Sequence, residues 1–306
     1  PFELSLDASL SADVIICDYN YVFDPRVYLK RFFTEAGEHL FLIDEAHNMV
    51  ERGRSMYSAQ LSISMFQELY RFIDKDARTC RRQTRAMIKA LEAQAVPCEE
   101  SGYFSYLEPS TPLFNQLTKL EKELDLYLQK EHEYNDEIKT IYFELLAFSR
   151  IADFYDEHFI TWVKKEGKEI TIKQYCLNPA RSLTRMLQMG KAAVFFSATL
   201  TPIRYFTDLL LEGECTKKIA LPSPFDSHRA KLLIHCGIDT RYRMRYASID
   251  PITCAIVTTI TQKCGNYIVF FPSYAYLKQV ADHFAQAYPD IHLEIQESDM
   301  DEEKRQ

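Results

Sequence analysis

The chain has no long apolar run and no closely spaced pair of cysteines. None of its apolar stretches approaches the length of a membrane-spanning helix, and no signal peptide opens it. Its eight cysteines are scattered, without the C-x-x-C spacing of many zinc sites. These absences argue against a membrane partner, a zinc site and a disulfide framework. We therefore expect a cytoplasmic protein whose thiols are reduced.

The bulk composition is that of a globular protein with more than one domain. Of the 306 residues, 47% are hydrophobic and 26% are charged, which is ordinary for a globular fold. The length predicts two or three domains. Because the net charge is −8, any binding to nucleic acid must rest on a local basic surface.

The most informative segment is an apolar strand that runs into two adjacent carboxylates. Residues 40–48 read LFLIDEAHN, so the strand ends at the acidic tetrad, Asp44-Glu45-Ala46-His47. In metal-nucleotide hydrolysis one carboxylate holds Mg²⁺ through water while the next polarises the attacking water. Open α/β sheets bind ligands at the carboxyl ends of their strands. The alternative is an ordinary strand end followed by a helix that Asp44 caps.

Apolar runs and helical periodicity predict an α/β fold at both ends of the chain. We expect buried strands at 12–17 and 192–196, further strands at 40–43 and 266–271, and helices at 25–36 and 275–287. The order strand, helix, strand over residues 12–43 is the pattern of a parallel sheet.

The middle of the chain is predicted to be mostly helical. Apolar residues recur at helical spacing over 73–91, and at steps of four and three over 113–148, which predicts a helix and then a long helix or helix pair. Residues 158–176 predict a β-hairpin, and a helix follows near 180–189. A mainly helical stretch thus interrupts the first α/β segment, which resumes before a second one begins.

The strand at 192–196 ends in small hydroxyl side chains. It is followed by Ser197-Ala198-Thr199, and such side chains can hydrogen-bond a neighbouring loop without bulk. Taken alone, this triplet is equally typical of a turn. Chance produces this triplet together with the acidic tetrad much less often than it produces either motif alone.

Together these segments resemble the XPD/DinG family of superfamily 2 helicases, which has two RecA-like motor domains. The acidic tetrad matches motif II of the family, and Ser197-Ala198-Thr199 matches motif III. Residues 12–20 resemble the segment after the family's cysteine cluster. Ser223-Pro224-Phe225 resembles the link into the second motor domain, and residues 268–274 resemble motif IV. The resemblance therefore spans nearly the whole chain in the right order.

The resemblance implies a domain plan. Residues 1–60 would form part of a first RecA-like domain, a parallel-sheet motor that contains motif II. Residues 61–185 would be a helical Arch-like insertion ending in a β-hairpin. Residues 186–220 would resume the first RecA-like domain with motif III, and 221–306 would be the N-terminal part of a second RecA-like domain.

The resemblance also implies residue roles. Asp44 would coordinate Mg²⁺ through water, Glu45 would be the general base toward the attacking water, and His47 would link the nucleotide site to motif III. Ser197 and Thr199 would couple the ATP state to movement of the motor domains.

The implied activity is that of an ATP-dependent DNA helicase of the kind found in DNA repair, moving 5′ to 3′ on single-stranded DNA as a monomer. Two alternatives remain open. One is an RNA helicase or a non-unwinding translocase on the same motor. The other is a catalytically inactive scaffold that binds nucleic acid.

The chain departs from the family pattern in three places. It has no Gly-rich Walker A loop with its Lys. The cysteines that hold a 4Fe-4S cluster in many members would lie before Pro1, and motifs V and VI would lie beyond Gln306. We expect the chain to be part of a longer protein, and the 306 residues alone not to hydrolyse ATP.

Two groups of residues are candidates for contact with nucleic acid. A cationic helical face is the first: its members recur at helical spacing, occupy an arc of roughly 100° beside the apolar stripe, and can bind phosphates. They are Arg78, Arg81, Arg82, Arg85 and Lys89. The alternative is a solvated face. The second group is Tyr19 with Asn20, since an aromatic ring can stack on a base; buried packing is the alternative for Tyr19 or its neighbour Tyr21.

Overall fold

The computed structural model describes residues 2–98, 101–130, 136–213, 216–226, 228 and 231–296. Two compact units divide the chain, Pro1–Ile219 and Ala220–Gln306. In the first unit a parallel strand pair, a four-stranded antiparallel sheet and several helices occur together. The α/β class predicted from the sequence is therefore confirmed.

The first unit opens with two short helices and the strand that precedes the acidic tetrad. They are α1 (Phe2–Ser9), α2 (Asn20–Phe23) and β1 (Leu40–Ile43). Near the end of the unit, α8 (Ala180–Leu187) leads to β6 (Ala192–Phe195), which is followed by α9 (Ile203–Leu210). β1 and β6 pair in parallel with Ile43 opposite Phe195. Both strands therefore end at the same edge.

The burial of β6 differs from the prediction. Ala192 and Val194 are exposed, and on β1 Leu40 and Leu42 are exposed as well. A parallel strand is buried only when both of its faces are covered, and among the described residues this sheet has two strands. The prediction of a buried strand at 192–196 was therefore wrong in its burial and right in its position.

The rest of the first unit is a helical layer packed on an antiparallel sheet. The strands are β2 (Ala59–Ser62), β3 (Tyr103–Tyr106), β4 (Phe159–Glu166) and β5 (Glu169–Cys176), in the order β2-β5-β4-β3. The helices are α3 (Met49–Met56), α4 (Ile63–Phe72), α5 (Arg78–Gln94), α6 (Thr111–Lys130) and α7 (Asp136–Ala152). The predicted helix pair and β-hairpin are confirmed, and Gly167 supplies the left-handed turn (φ 63°) between β4 and β5.

The core follows the apolar stripes that the sequence predicts. α5 buries Cys80, Thr84, Met87 and Leu91, and the helix packs against α4 and α6. α6 buries four leucines at steps of four, three and four, and α7 continues the same stripe. Burial of these side chains contributes roughly 1.5–3 kcal/mol each, so the helical layer stabilises the unit that carries the acidic tetrad.

Three predicted elements are wrong. Residues 12–17 and 266–271 form no strand, and Val14, Ile16, Ile268 and Phe270 are largely exposed. Strand propensity depends on neighbours that pair and pack, and among the described residues neither run has a strand beside it. Residues 25–36 form turns instead of a helix. The buried Asp24 carboxylate accepts hydrogen bonds from the backbone and guanidinium of Arg26 (both 2.9 Å) and closes a turn there.

The second unit contains α10 (Ile249–Ile260) and α11 (Tyr274–Ala287). Ser273 caps α11 by accepting a hydrogen bond from the Tyr276 amide at 3.4 Å. Tyr276, Val280 and Phe284 are the buried side chains of α11, and its position matches the predicted helix at 275–287. Across the described parts of both units, the helices are too short or too polar to cross a lipid bilayer.

Candidate active site

The acidic tetrad and the hydroxyl triplet lie at one edge of the β1–β6 pair. Backbone pairing continues past the last paired residues, because the Phe196 amide donates to the Ile43 carbonyl (3.0 Å) and the Ala46 amide donates to the Phe196 carbonyl (3.1 Å). The strand register thus sets the tetrad directly beside Ser197. Sequence reasoning placed both motifs at strand ends, and the structure brings those ends together.

Three side chains from the two motifs form a compact triangle. His47 Nδ1 lies 2.8 Å from Ser197 Oγ and 3.1 Å from Glu45 Oε2. The Ser197 hydroxyl also lies 3.4 Å from Glu45 Oε2. Because imidazole, hydroxyl and carboxylate are all within hydrogen-bonding reach, a shift of one of them changes the partners of the other two.

Thr199 contributes to this site through its backbone. Its amide donates to Ser197 Oγ at 3.3 Å, while its side chain is exposed. Ser197 therefore receives a second hydrogen bond that holds its hydroxyl in the direction of His47. The structure assigns Thr199 to the support of Ser197, and it places no hydrogen bond from the Thr199 hydroxyl to any described residue.

Glu45 has an unusual backbone conformation. Its φ of 46° lies in the left-handed region, and among the described residues it is the one non-glycine with positive φ. Such a conformation costs about 1 kcal/mol or more and persists where the surroundings impose it. The Glu45 amide donates to Asp44 Oδ1 at 2.7 Å. This turn directs the Glu45 carboxylate toward His47 and Ser197.

Asp44 presents an exposed carboxylate beside Glu45. The Glu45 amide occupies Oδ1, which leaves Oδ2 toward solvent. The described residues contain no group of three or more side chains able to hold a metal ion. An exposed carboxylate of this kind fits Mg²⁺ bound through its own water shell.

Tyr19 reaches the acidic tetrad from another part of the chain. Its phenol donates a hydrogen bond to the Asp44 backbone carbonyl. Burial raises the pKa of Tyr19, and the carboxylates of Asp44 and Glu45 raise it further, so the phenol remains a donor at neutral pH. This contact was not predicted, because 25 residues separate the two partners and residues 25–36 between them were expected to form a helix.

Asn20 and Tyr21 lie beside Tyr19 but away from the tetrad contact. The Asn20 amide donates to Asp18 Oδ1 at 3.0 Å, which starts α2. The Tyr21 ring packs against Phe2 with ring centroids 6.2 Å apart. All three side chains are partly exposed.

Comparisons with known proteins find similarity to proteins named as DNA helicases. The DEAD_2 family model matches residues 1–66, the segment that contains Tyr19 and the acidic tetrad. The ATP-dependent DNA helicase CHL1 of Vanderwaltozyma polyspora is 21% identical over 93% of this chain and 39% of its own length. CHL1 of Candida glabrata is 20% identical over 92% of this chain and 38% of its own length.

The chain is similar to DEAH-type superfamily 2 helicases. The identity is low, and the chain spans about two fifths of the length of the curated relatives it matches.

The predicted cationic face lies on α5 and borders a surface cavity of about 470 Å³. We call this cavity the basic groove. Its lining residues are Tyr70, Lys75, Arg78, Arg81, Arg82, Arg85, Ala86 and Lys89. No carboxylate lines it, so the cavity presents concentrated positive charge on a protein whose net charge is negative. Sequence reasoning found the α5 cations and missed Tyr70 and Lys75, which come from the preceding helix and turn.

The cations of the basic groove are not equivalent. Arg81 donates to the carbonyls of Tyr70 (3.0 Å) and Ile73 (2.7 Å) and lies over the Tyr70 ring at 3.8 Å. Arg85 lies over the same ring at 4.6 Å. Arg78, Arg82 and Lys89 are exposed, and none of them is paired with a carboxylate in the described part of the chain. Arg81 therefore closes the end of α4, while the others face solvent.

Proposed function

We propose that the chain is the part of an ATP-dependent DNA helicase that carries the general base and a strand-binding surface. The observation that carries the proposal is the triangle of Glu45, His47 and Ser197, which joins two sequence motifs across a parallel strand pair. The low-identity relatives named as DNA helicases support the choice of DNA. The proposed motor moves 5′ to 3′ on single-stranded DNA as a monomer.

The proposed domain plan follows from the resemblance. Residues 1–60 and 186–220 are parts of one RecA-like motor domain, and residues 61–185 are an Arch-like insertion. Residues 221–306 begin a second RecA-like domain. The parallel pairing of β1 with β6 supports this plan, because it joins the segments on either side of the insertion.

In the proposed mechanism Glu45 accepts the proton of the attacking water. Its carboxylate is largely exposed at the strand edge, where a water and a phosphate can reach it. Asp44 would hold Mg²⁺ through water, and the ion would supply positive charge that offsets the charge of the transferred phosphoryl group. The Gly-rich loop and Lys that would cradle the phosphates are not in this sequence.

His47 is proposed to report on the state of Glu45. When the Glu45 carboxylate takes up a proton, it becomes a weaker acceptor for His47 and Ser197. The 2.8 Å hydrogen bond between His47 and Ser197 then becomes stronger relative to the 3.1 Å contact between His47 and Glu45. Ser197 and Thr199 follow β6, whereas Glu45 follows β1. A change in the protonation of Glu45 therefore alters a hydrogen bond of the segment after β6.

The basic groove is proposed to contact the phosphates of the strand. Four of its cations follow one another at steps of four, three and four along α5, which spaces them about 4.5–6 Å apart along the helix axis. They are Arg78, Arg82, Arg85 and Lys89. Phosphate binding of this kind does not depend on base sequence. Tyr19 and Asn20 form a second proposed contact with the strand.

The decisive experiment uses the full natural polypeptide that carries these residues. ATP turnover is measured without nucleic acid, with single-stranded DNA and with single-stranded RNA of equal length. Stimulation by DNA that the Glu45→Gln variant abolishes supports the proposal. Stronger stimulation by RNA would assign an RNA helicase, and binding of either strand without any turnover would assign a scaffold.

A further inference from the structure

The left-handed Glu45 residue is held by hydrogen bonds on both of its flanking peptide groups. On one side, the Asp44 carbonyl accepts a hydrogen bond from the Tyr19 phenol. On the other, the Ala46 amide donates to the Phe196 carbonyl at 3.1 Å. A residue with φ of 46° relaxes toward the ordinary right-handed or extended regions unless its neighbours prevent it.

Tyr19 is itself fixed by the core. Its carbonyl accepts a hydrogen bond from the Phe23 amide at 2.9 Å. Phe23 is almost fully buried, and its own carbonyl accepts a hydrogen bond from the buried Tyr57 phenol at 2.7 Å. The Tyr19 hydroxyl is therefore carried on a short helix, α2, that is anchored in the core.

We propose that Tyr19 is a positioning residue, whose hydroxyl fixes the Asp44–Glu45 peptide group and thereby directs the Glu45 carboxylate toward His47 and Ser197. This inference rests on the proposed function of Glu45 as general base. Without the hydroxyl the Asp44 carbonyl loses its partner, and the local contact of the Glu45 amide with Asp44 Oδ1 (2.7 Å) is left to resist rotation of the peptide group. That rotation carries the carboxylate away from the 3.1 Å contact with His47.

This role differs from stacking on a base. Stacking uses the ring face of a tyrosine, whereas positioning uses its hydroxyl. Tyr19→Phe removes the hydroxyl and keeps the ring, and Tyr19→Ala removes both. Tyr21→Phe is the matched control, because Tyr21 is two residues away, is also partly exposed, and its hydroxyl has no hydrogen bond to a described residue.

The test measures ATP turnover and strand affinity in the full natural polypeptide. A hydrogen bond of ordinary net strength corresponds to roughly a fivefold effect. We expect Tyr19→Phe to lower kcat by about fivefold, with the KM for ATP and the Kd for a fluorescent oligo(dT) strand unchanged. Tyr21→Phe retains the parent kcat. A Tyr19→Phe variant with full kcat overturns the inference, and so does a Tyr19→Phe variant whose only defect is in strand affinity.

A second measurement separates this inference from the proposed function. Amide hydrogen exchange over residues 40–48 reports the order of the tetrad whether or not the protein hydrolyses ATP. We expect faster exchange at Ala46 in Tyr19→Phe than in Tyr21→Phe. If the parent protein shows no turnover, the proposed function fails while the exchange result still decides whether Tyr19 holds the peptide group. Equal exchange in the two variants contradicts the role of Tyr19.

Discussion

The imidazole of His47 lies 2.8 Å from the hydroxyl of Ser197, although 150 residues separate them in the chain. Glu45 Oε2 lies 3.1 Å from the same imidazole nitrogen. The proposed general base and the hydroxyl triplet therefore share one histidine. Four predictions follow from this site and from the basic groove.

The first prediction concerns Glu45 as the general base. Glu45→Gln keeps the shape of the side chain and removes the proton acceptor, so kcat for ATP should fall by about 100-fold or more, while nucleotide and strand affinities stay near parent values. The matched control is Glu51→Gln on α3, whose carboxylate is exposed and pairs with Arg54 instead (2.6 Å). Equal turnover in Glu45→Gln and Glu51→Gln would contradict the assignment.

The second prediction concerns His47 as the link between the motifs. His47→Ala removes the partner of both Glu45 and Ser197, and we expect strand unwinding per ATP hydrolysed to fall several-fold. His47→Asn keeps a polar group near the position of Nδ1 and should restore part of the loss. Unwinding and ATP turnover are measured on the same preparation. If His47→Ala and His47→Asn lose the same fraction of unwinding per ATP hydrolysed, the Nδ1 contact does not couple hydrolysis to unwinding.

The third prediction concerns the basic groove as a phosphate-binding surface. The double variant Arg82→Glu with Arg85→Glu should bind oligo(dT) at least about tenfold more weakly. The slope of log affinity against log salt should flatten by roughly 1.4, which is the value for two lost phosphate contacts. Lys119→Glu with Lys130→Glu on α6 makes the same change in charge on another exposed surface.

An equal loss of oligo(dT) affinity in the two double variants would assign the effect to net charge and not to the basic groove. Competition by polyglutamate as strong as that by oligo(dT) would instead identify an acidic peptide as the partner of the groove. If the slope of log affinity against log salt is the same as in the parent protein, Arg82 and Arg85 do not contact phosphates.

The fourth prediction separates Arg81 from its neighbours. Because Arg81 donates to two backbone carbonyls at the end of α4, Arg81→Ala should lower the free energy of unfolding by about 1–3 kcal/mol. Arg82→Ala, on an exposed side chain, should change it by less than about 0.5 kcal/mol. Chemical denaturation followed by circular dichroism measures both. A similar stability of the two variants would show that the carbonyl contacts of Arg81 contribute nothing.

The sequence predicted those parts of the site that follow from strand ends. β1 and the tetrad, and β6 and the hydroxyl triplet, were each recognisable from an apolar run followed by polar residues. The helical stripes were equally readable, since the buried residues of α5 and α6 recur at helical spacing. These elements depend mainly on local pattern.

The remaining features depend on tertiary contacts. The runs at 12–17 and 266–271 are as apolar as β1, yet they form no strand, because a strand needs a neighbour to pair with. In the sequence Arg81 is one of five similar cations, and only the turn between α4 and α5 brings the carbonyls of Tyr70 and Ile73 to it. The contact of Tyr19 with Asp44 likewise required a segment that turns where a helix was predicted.

The pairing of β1 with β6 has a consequence for how this protein can vary. The two strands close a loop that contains the whole helical layer and the antiparallel sheet. Lengthening a closed loop costs little, since doubling its length adds only about 0.6 kcal/mol. A deletion of one residue within Leu40–Ile43, by contrast, shifts the register and turns alternate side chains to the opposite face. An insertion into an exposed connection between the motifs therefore leaves His47 beside Ser197, whereas a change of one residue in β1 separates them.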